Sequence, residues 1–224
     1  MALYQSTNDR PYVILNAAMS IDGKIATKKG DSKISSKDNL VRVHKIRASV
    51  DAIMVGINTV LVDDPSLKVK YCEGKNPIRI VVDSKARTPI KSRIISDKDA
   101  ITLIAVTKKA PIDRANKLKE AGAKIIVCGE GEEVDLAILL KTLKDMGIKK
   151  VLVEGGGNVN WSIVSQGFFD ELQVTIGPFI AGGRDAITLV EGDGVEKMDE
   201  SIRVKLHKVE QYGDEVVLIY KPLR

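Results

Sequence analysis

Val151-Leu152-Val153-Glu154-Gly155-Gly156-Gly157-Asn158 is the stretch on which the reading of this chain turns. Three apolar residues run into a carboxylate, three glycines and a polar residue. A short apolar run without polar alternation suits a strand buried on both faces of a parallel sheet. Glycine admits positive φ and lets the main chain approach a ligand closely. A helix that starts just after such a turn presents unpaired N–H groups to an anion. A pyrophosphate fits both properties, although a loose strand-to-helix turn would account for the glycines as well. The spacing is neither G-x-G-x-x-G nor a Walker loop, since no G-K-[ST] follows. Glu154 stands at the C-terminal end of the strand, where open α/β sheets gather ligands. There it could bind a substrate hydroxyl or amino group, or pair with a nearby cation.

Outward from this stretch, similar β-branched runs recur. Residues 12–15, 52–55, 78–82, 101–106 and 125–127 read as further buried strands. Helical stretches lie between several of them. One runs from 36 to 48 with Ser36 as N-cap, one from 111 to 121 with Pro111 in its first turn, one from 134 to 146, and one from 158 to 166. After residue 170 the pattern changes. Residues 171–176, 203–209 and 216–220 read as strands with no helix between them, and Val204 and Leu206 alternate with basic residues. Together these predict an α/β chain with a mixed, mostly parallel central sheet flanked by helices and antiparallel strands at the C-terminus. Nothing marks a linker or repeat, so residues 1–224 are expected to form a single domain.

Bulk properties narrow the function classes. The 224 residues are 44% hydrophobic and 29% charged, with net charge +5. That is ordinary globular usage. No apolar run is long enough for a membrane helix, and residues 1–9 lack the apolar core of a signal peptide. Cys72 and Cys128 lack metal-ligand spacing and read as reduced thiols in a cytoplasmic protein. Lys and Arg are interleaved with acids, and aromatics are only 4%. A basic stripe for nucleic acid is therefore not expected, while a mild positive field suits small anions. The two histidines, His44 and His207, allow no histidine-rich metal site, so no metal is expected. Neither the zinc nucleobase-deaminase pattern nor a nucleophile elbow is present.

The other candidates also follow predicted strands. Asn16 precedes the Met19-Ser20-Ile21-Asp22-Gly23-Lys24 turn. Thr59 and Asp63 would share a face of a short helix starting near Asn58. Asp83-Ser84-Lys85-Ala86-Arg87 and Thr107-Lys108-Lys109 suit a 2′-phosphate. His44 and Arg47 are i, i+3 on one helix, and a guanidinium there could grip a phosphate in bidentate fashion.

Taken in order, residues 16–24, 30–35, 44–48, 56–65, 82–84 and 154–158 resemble the riboflavin-pathway reductases over nearly the whole chain. The stand-alone archaeal and fungal type is the nearer match. The resemblance implies a dihydrofolate-reductase-like fold, NADPH as cofactor and a homodimer. It implies reduction of the ribosylamino side chain of 2,5-diamino-6-ribosylamino-4(3H)-pyrimidinone 5′-phosphate to the ribitylamino form in riboflavin biosynthesis. A closed ribosylamine offers no carbon that accepts hydride, so ring opening to an imine at C1′ is expected first. By position, Ala18, Thr59, Asp63, Asp83, Ser84, Gly155, Gly156, Gly157 and Asn158 would contact the cofactor. Asn16, Ser32, Arg47, Leu67, Lys70 and Glu154 would line the substrate site. Arg47 and Lys70 would anchor the 5′-phosphate, and Glu154 would be the catalytic carboxylate, with Asp22 and Lys24 as weaker acid–base candidates. Asn16 and Lys70 depart from the bacterial-type pattern, which has lysine and arginine there. Alternatives are a reductase of the deaminated pyrimidine, a dihydrofolate reductase, or an NADPH-binding protein without chemistry.

Overall fold

A computed structural model describes residues 9–223; the polar N-terminal stretch thus lies, but for Asp9, outside the described residues. The apolar runs form strands Tyr12–Met19 (β1), Ala52–Gly56 (β2), Ile78–Val82 (β3), Thr102–Val106 (β4), Lys124–Val127 (β5) and Lys150–Val153 (β6). The C-terminal strands are Glu171–Ile176 (β7), Val204–Tyr212 (β8) and Glu215–Pro222 (β9). Among the described residues they make one nine-stranded sheet in the order β5-β4-β3-β2-β6-β1-β7-β9-β8. Strands β1 to β7 pair in parallel, and β7-β9-β8 pair antiparallel. This is the mixed sheet expected from the change of pattern after residue 170.

Helices Lys37–Ala48 (α1), Ile57–Asp63 (α2), Arg93–Ser96 (α3) and Ile112–Glu120 (α4) join strands that step toward β5. Leu136–Asp145 (α5) and Gly157–Ser165 (α6) join strands that step back through β6 to β7. Right-handed crossovers in opposite directions place the two sets on opposite faces. Two apolar clusters reflect this. Leu136, Leu139, Leu143, Val159 and Ile163 pack with Val13, Leu15, Met54, Val151 and Val153. Val60, Ile94, Ile95 and Leu118 pack with Ile14, Ile53, Val55 and Leu152.

Strand register decides which side chains share a face at the ends of β1 and β6. Leu15 pairs with Val153, and both side chains face α5 and α6. The next residues, Asn16 and Glu154, therefore face the other side, toward α1. On the far flank of β1, Asn16 pairs with Gln173 and Ala18 with Thr175.

Helix α1 starts where the sequence predicts. Ser36 is its N-cap, and its Oγ accepts from Asn39 N at 3.3 Å. Ser36 also donates from its main-chain N and from Oγ (3.0 Å) to Glu215, so β9 places a buried carboxylate at the positive end of the helix. Pro111 sits at the N-cap of α4, one residue earlier than expected. Residues 177–203 hold no strand, only a 3₁₀ turn at Met198–Glu200. No helix among the described residues is long and apolar enough to cross a membrane.

Candidate active site at the C-terminal edge of the sheet

The parallel strands end on one edge, and most of the predicted residues stand there. Asn16 and Ala18 lie in the last half of β1, Asp83 and Ser84 follow β3, and Glu154 to Gly157 follow β6.

Glu154 is paired. Arg47 donates from Nε to Oε1 at 2.9 Å and from Nη2 to Oε2 at 2.5 Å, and from Nη1 to the Lys68 carbonyl at 3.1 Å. Burial is the largest influence on the Arg47 pKa and lowers it; the charge and hydrogen bonds of Glu154 outweigh it, and the net direction is upward. The expectation that Arg47 grips a phosphate meets a fork already occupied by a carboxylate. Lys70 is exposed, and its main-chain N donates to His44 Nδ1 at 2.8 Å.

His44 is 4% exposed and meets Tyr71 edge-on at 4.6 Å between centroids. Because Nδ1 accepts, the ring is the neutral Nε2–H tautomer. Burial, then the Arg47 charge, push its pKa down to about 4 from 6.5. The unfolded chain takes up this proton first, so the stabilisation is intact above pH 6.5 and is lost as pH falls toward 4. In thermal melts, His44→Gln, whose Oε1 can still accept from Lys70, should lose less stability than wild type across that window. Parallel pH profiles would exclude His44 as the titrating group.

The glycine turn divides by function. Gly155 and Gly156 have φ of +149° and +87°. Cβ atoms there would stand 3.1 and 3.5 Å from Thr59 Oγ1. Among the described residues, that hydroxyl has no hydrogen-bond partner. Helix α6 starts at Gly157 directly after these glycines and has no side-chain cap for its first N–H groups. Such a cradle fits a pyrophosphate. Gly157 differs: a Cβ there would stand 2.2 Å from Glu191 Cγ and 2.9 Å from the Thr188 carbonyl. Its smallness lets the 177–203 segment pack over the turn. Asn158 is exposed, with its carbonyl accepting from Ser162 Oγ.

Thr59 is half-buried and Asp63 exposed on α2, and burial together with the charge of Asp31 raises the Asp63 pKa. Ser84 is half-buried, and its carbonyl accepts from Thr107 N at 3.2 Å. Ser32 is exposed in the loop before α1. Two of the expected site side chains are buried. Asp83 is 0% exposed, and its Oδ2 accepts from Thr88 N and Oγ1, both at 2.7 Å. The carboxylate closes its own turn. Leu67 is 2% exposed in the core because a φ of +52° swings its side chain inward. Asp22 is committed too: Ser20 Oγ (2.6 Å) and the N–H groups of Ala181 and Gly182 hold its pKa at about 2. It ties two loops together and is a poor proton donor.

Sequence reasoning missed Arg42. From α1 its Nε donates to Asn39 Oδ1 at 2.8 Å, Nη1 to Gln173 Oε1, and Nη2 to Asn16 Oδ1 at 3.1 Å and Thr175 Oγ1 at 3.3 Å. Burial lowers its pKa. The available signal was Glu171, Gln173 and Thr175, polar at alternate positions of a strand that is otherwise apolar. Among the described residues no cluster could hold a metal ion.

Residues 11–218 match the family described as RibD C-terminal domain. The 2,5-diamino-6-ribosylamino-4(3H)-pyrimidinone 5′-phosphate reductase of Methanothermobacter thermautotrophicus is 48% identical over 94% of this chain and 98% of that protein. The protein of the same name from Archaeoglobus fulgidus is 41% identical over 92% of this chain and 95% of its own length. The Acinetobacter baumannii RibD structure (form 2) has a TM-score of 0.83 at 26% identity and covers 96% of this chain. The chain spans 59% of that larger protein. The mixed sheet is thus the fold of these reductases, and the chain belongs to the RibD C-terminal domain family.

Proposed function

We propose that this chain reduces the ribosylamino side chain of 2,5-diamino-6-ribosylamino-4(3H)-pyrimidinone 5′-phosphate to the ribitylamino form, with NADPH as cofactor. The observation that carries this reading is the Arg47–Glu154 pair standing directly before the Gly155-Gly156 cradle. One edge of the sheet thus offers a carboxylate for a polyhydroxylated substrate and a seat for a pyrophosphate. The names of the archaeal relatives support the same substrate.

When bound, the nicotinamide supplies the hydride. Gly155, Gly156, the first N–H groups of α6 and Thr59 Oγ1 would hold the pyrophosphate. Lys85, Lys108 and Lys109 stand beside the Ser84 turn, paired with Glu130 and Glu132 in exposed ion pairs. Such pairs are worth little and can be exchanged for a 2′-phosphate, which favours NADPH over NADH. Glu154 keeps lone pairs beyond those Arg47 occupies; it would accept a sugar hydroxyl and hold a proton at the reacting end. Arg47 orients that carboxylate through its two bonds. With the Arg47 fork occupied, the exposed Lys70 ammonium is the group left for the 5′-phosphate. We place the enzyme in the cytoplasm as a homodimer, in which exposed Leu206 and Val209 of β8 would offer an apolar contact.

Folded protein given NADPH and the pyrimidine should show substrate-dependent loss of NADPH absorbance. Offering NADH and the deaminated pyrimidine in the same assay ranks cofactor and substrate. No turnover with either pyrimidine would defeat the reductase reading; turnover of dihydrofolate alone would replace it.

A further inference from the structure

We infer that Arg42 is a positioning residue that fixes the polarity of the Asn16 carboxamide, so that Asn16 presents an N–H donor beside Glu154 to a hydroxyl of the substrate's sugar chain. The substrate class rests on the proposed function; the polarity itself rests on geometry alone.

Arginine has donors and no acceptor. Each group that meets Arg42 must therefore turn an oxygen toward it. Asn39, Gln173, Asn16 and Thr175 all do. For Gln173 the amide nitrogen is then directed away and donates to Glu171 Oε1 at 2.6 Å. For Asn39 it donates to Ser35 Oγ at 3.0 Å and Thr175 Oγ1 at 3.1 Å. Asn16 is the exception. Its Nδ2 has no partner among the described residues, yet it is not one of the unpaired atoms sealed from solvent. Asn16 as a whole is only 8% exposed, so a buried side chain keeps one open donor.

That donor opens next to Glu154. Asn16 and Glu154 follow the paired positions Leu15 and Val153, on the same face of adjacent strands. Neighbouring strands lie about 4.8 Å apart. A donor and an acceptor at that spacing are both satisfied by one hydroxyl, which accepts from Asn16 and donates to Glu154. A carbonyl oxygen could use only the first of them. No carboxylate among the described residues pairs with Arg42, so its donors go to these neutral oxygens.

Three variants test this, Asn16→Asp, Arg42→Gln and Arg42→Lys, each with wild type in the same assay. Asn16→Asp keeps the shape, gains an ion pair with Arg42 and loses the donor. It should raise KM for the pyrimidine at least about tenfold, with NADPH affinity within about twofold and no fall in melting temperature, as expected for one charged or well-placed hydrogen bond. Arg42→Gln frees the Asn16 amide to turn and should raise KM similarly. Arg42→Lys, which still only donates, should restore much of it. Unchanged KM in either Asn16→Asp or Arg42→Gln overturns the inference. So does failure of Lys to improve on Gln in a folded sample. The Asn16 side-chain NH₂ resonance, assigned by its absence in Asn16→Asp, reads the polarity without substrate. It should move or broaden in Arg42→Gln and stay near its wild-type position in Arg42→Lys; an unmoved signal in Arg42→Gln also overturns the inference. A wild-type chain with no turnover, beside a signal that moves as stated, would instead refute the proposed substrate and leave the polarity standing.

Discussion

Glu154→Gln is expected to lower kcat/KM by about 10- to 100-fold and to reduce unfolding free energy by about 1–3 kcal/mol, with NADPH affinity nearly unchanged. The two effects have different origins. For stability, the carboxylate accepts two bonds from Arg47, at 2.9 and 2.5 Å. A carboxamide can accept only one and turns an NH₂ group toward the other guanidinium nitrogen. A half-buried cation is then left poorly compensated. For activity, the carboxylate oxygen that would accept the sugar hydroxyl is lost. A double mutant separates the two. Arg47→Gln added to Glu154→Gln removes the stranded charge, so much of the stability should return, with a coupling energy of about 1–3 kcal/mol in the cycle. Activity should stay low. Recovery of activity in the double mutant would mean that Glu154 serves only to neutralise Arg47. Retention of kcat/KM within about twofold in Glu154→Gln would remove its catalytic role altogether.

How much of the fold was legible in the chain depends on the range of the interaction. The parallel strands announced themselves because a strand covered on both faces is apolar at consecutive positions, as in Ala52 to Val55 and Val151 to Val153, each buried. Helix α3 escaped because four residues, Arg93 to Ser96, are too few to show helical periodicity. Pro111 was one position out: its fixed φ suits an N-cap as readily as a first turn, and its ψ of 123°, outside the helical region, makes it the N-cap.

The site divides in the same way. The glycine turn and the residues after β2 and β3 were visible because turn chemistry is local. Whether a strand-end carboxylate turns inward or outward is not local. Asp83 turns inward because Thr88, five residues on, supplies two donors to it. The Arg42 cluster joins positions 16, 39, 42, 173 and 175. That requires β1 and β7 to be neighbours in a given register, and no short-range pattern specifies it. The glycines alone could not show that Gly157 answers to Glu191 while Gly155 and Gly156 face Thr59.

The same β1–β7 pairing is anchored at its other end by an ion pair whose loss should be the largest single cost to the fold. Arg10 donates to both oxygens of Asp170, at 2.6 and 3.1 Å, and the two side chains are 3% and 1% exposed. Asp170 also accepts from Val13 N at 2.8 Å and gives its own N–H to the Val13 carbonyl at 2.9 Å, so it sets the start of both strands. Among the described residues, Arg10 Nε is buried without a hydrogen-bond partner, and Nη1 otherwise reaches only the Pro11 carbonyl. Asp170→Ala therefore strands a buried guanidinium and a main-chain N–H together. The expected loss is about 3–5 kcal/mol, or roughly 6–20 °C in melting temperature for a chain of this size. A well-packed apolar replacement of both partners, Arg10→Met with Asp170→Leu, should regain much of that loss, because the uncompensated charge and not the missing pair carries most of the cost. It should not regain all, since Val13 N still lacks an acceptor, at about 1–3 kcal/mol. Activity well below the melting temperature should change little, because the pair lies at the opposite edge of the sheet from Glu154. A melting temperature unmoved in Asp170→Ala would show that this pair does not hold β1 against β7. Full activity loss in a sample still folded would instead mean that the position of Asn16 depends on it.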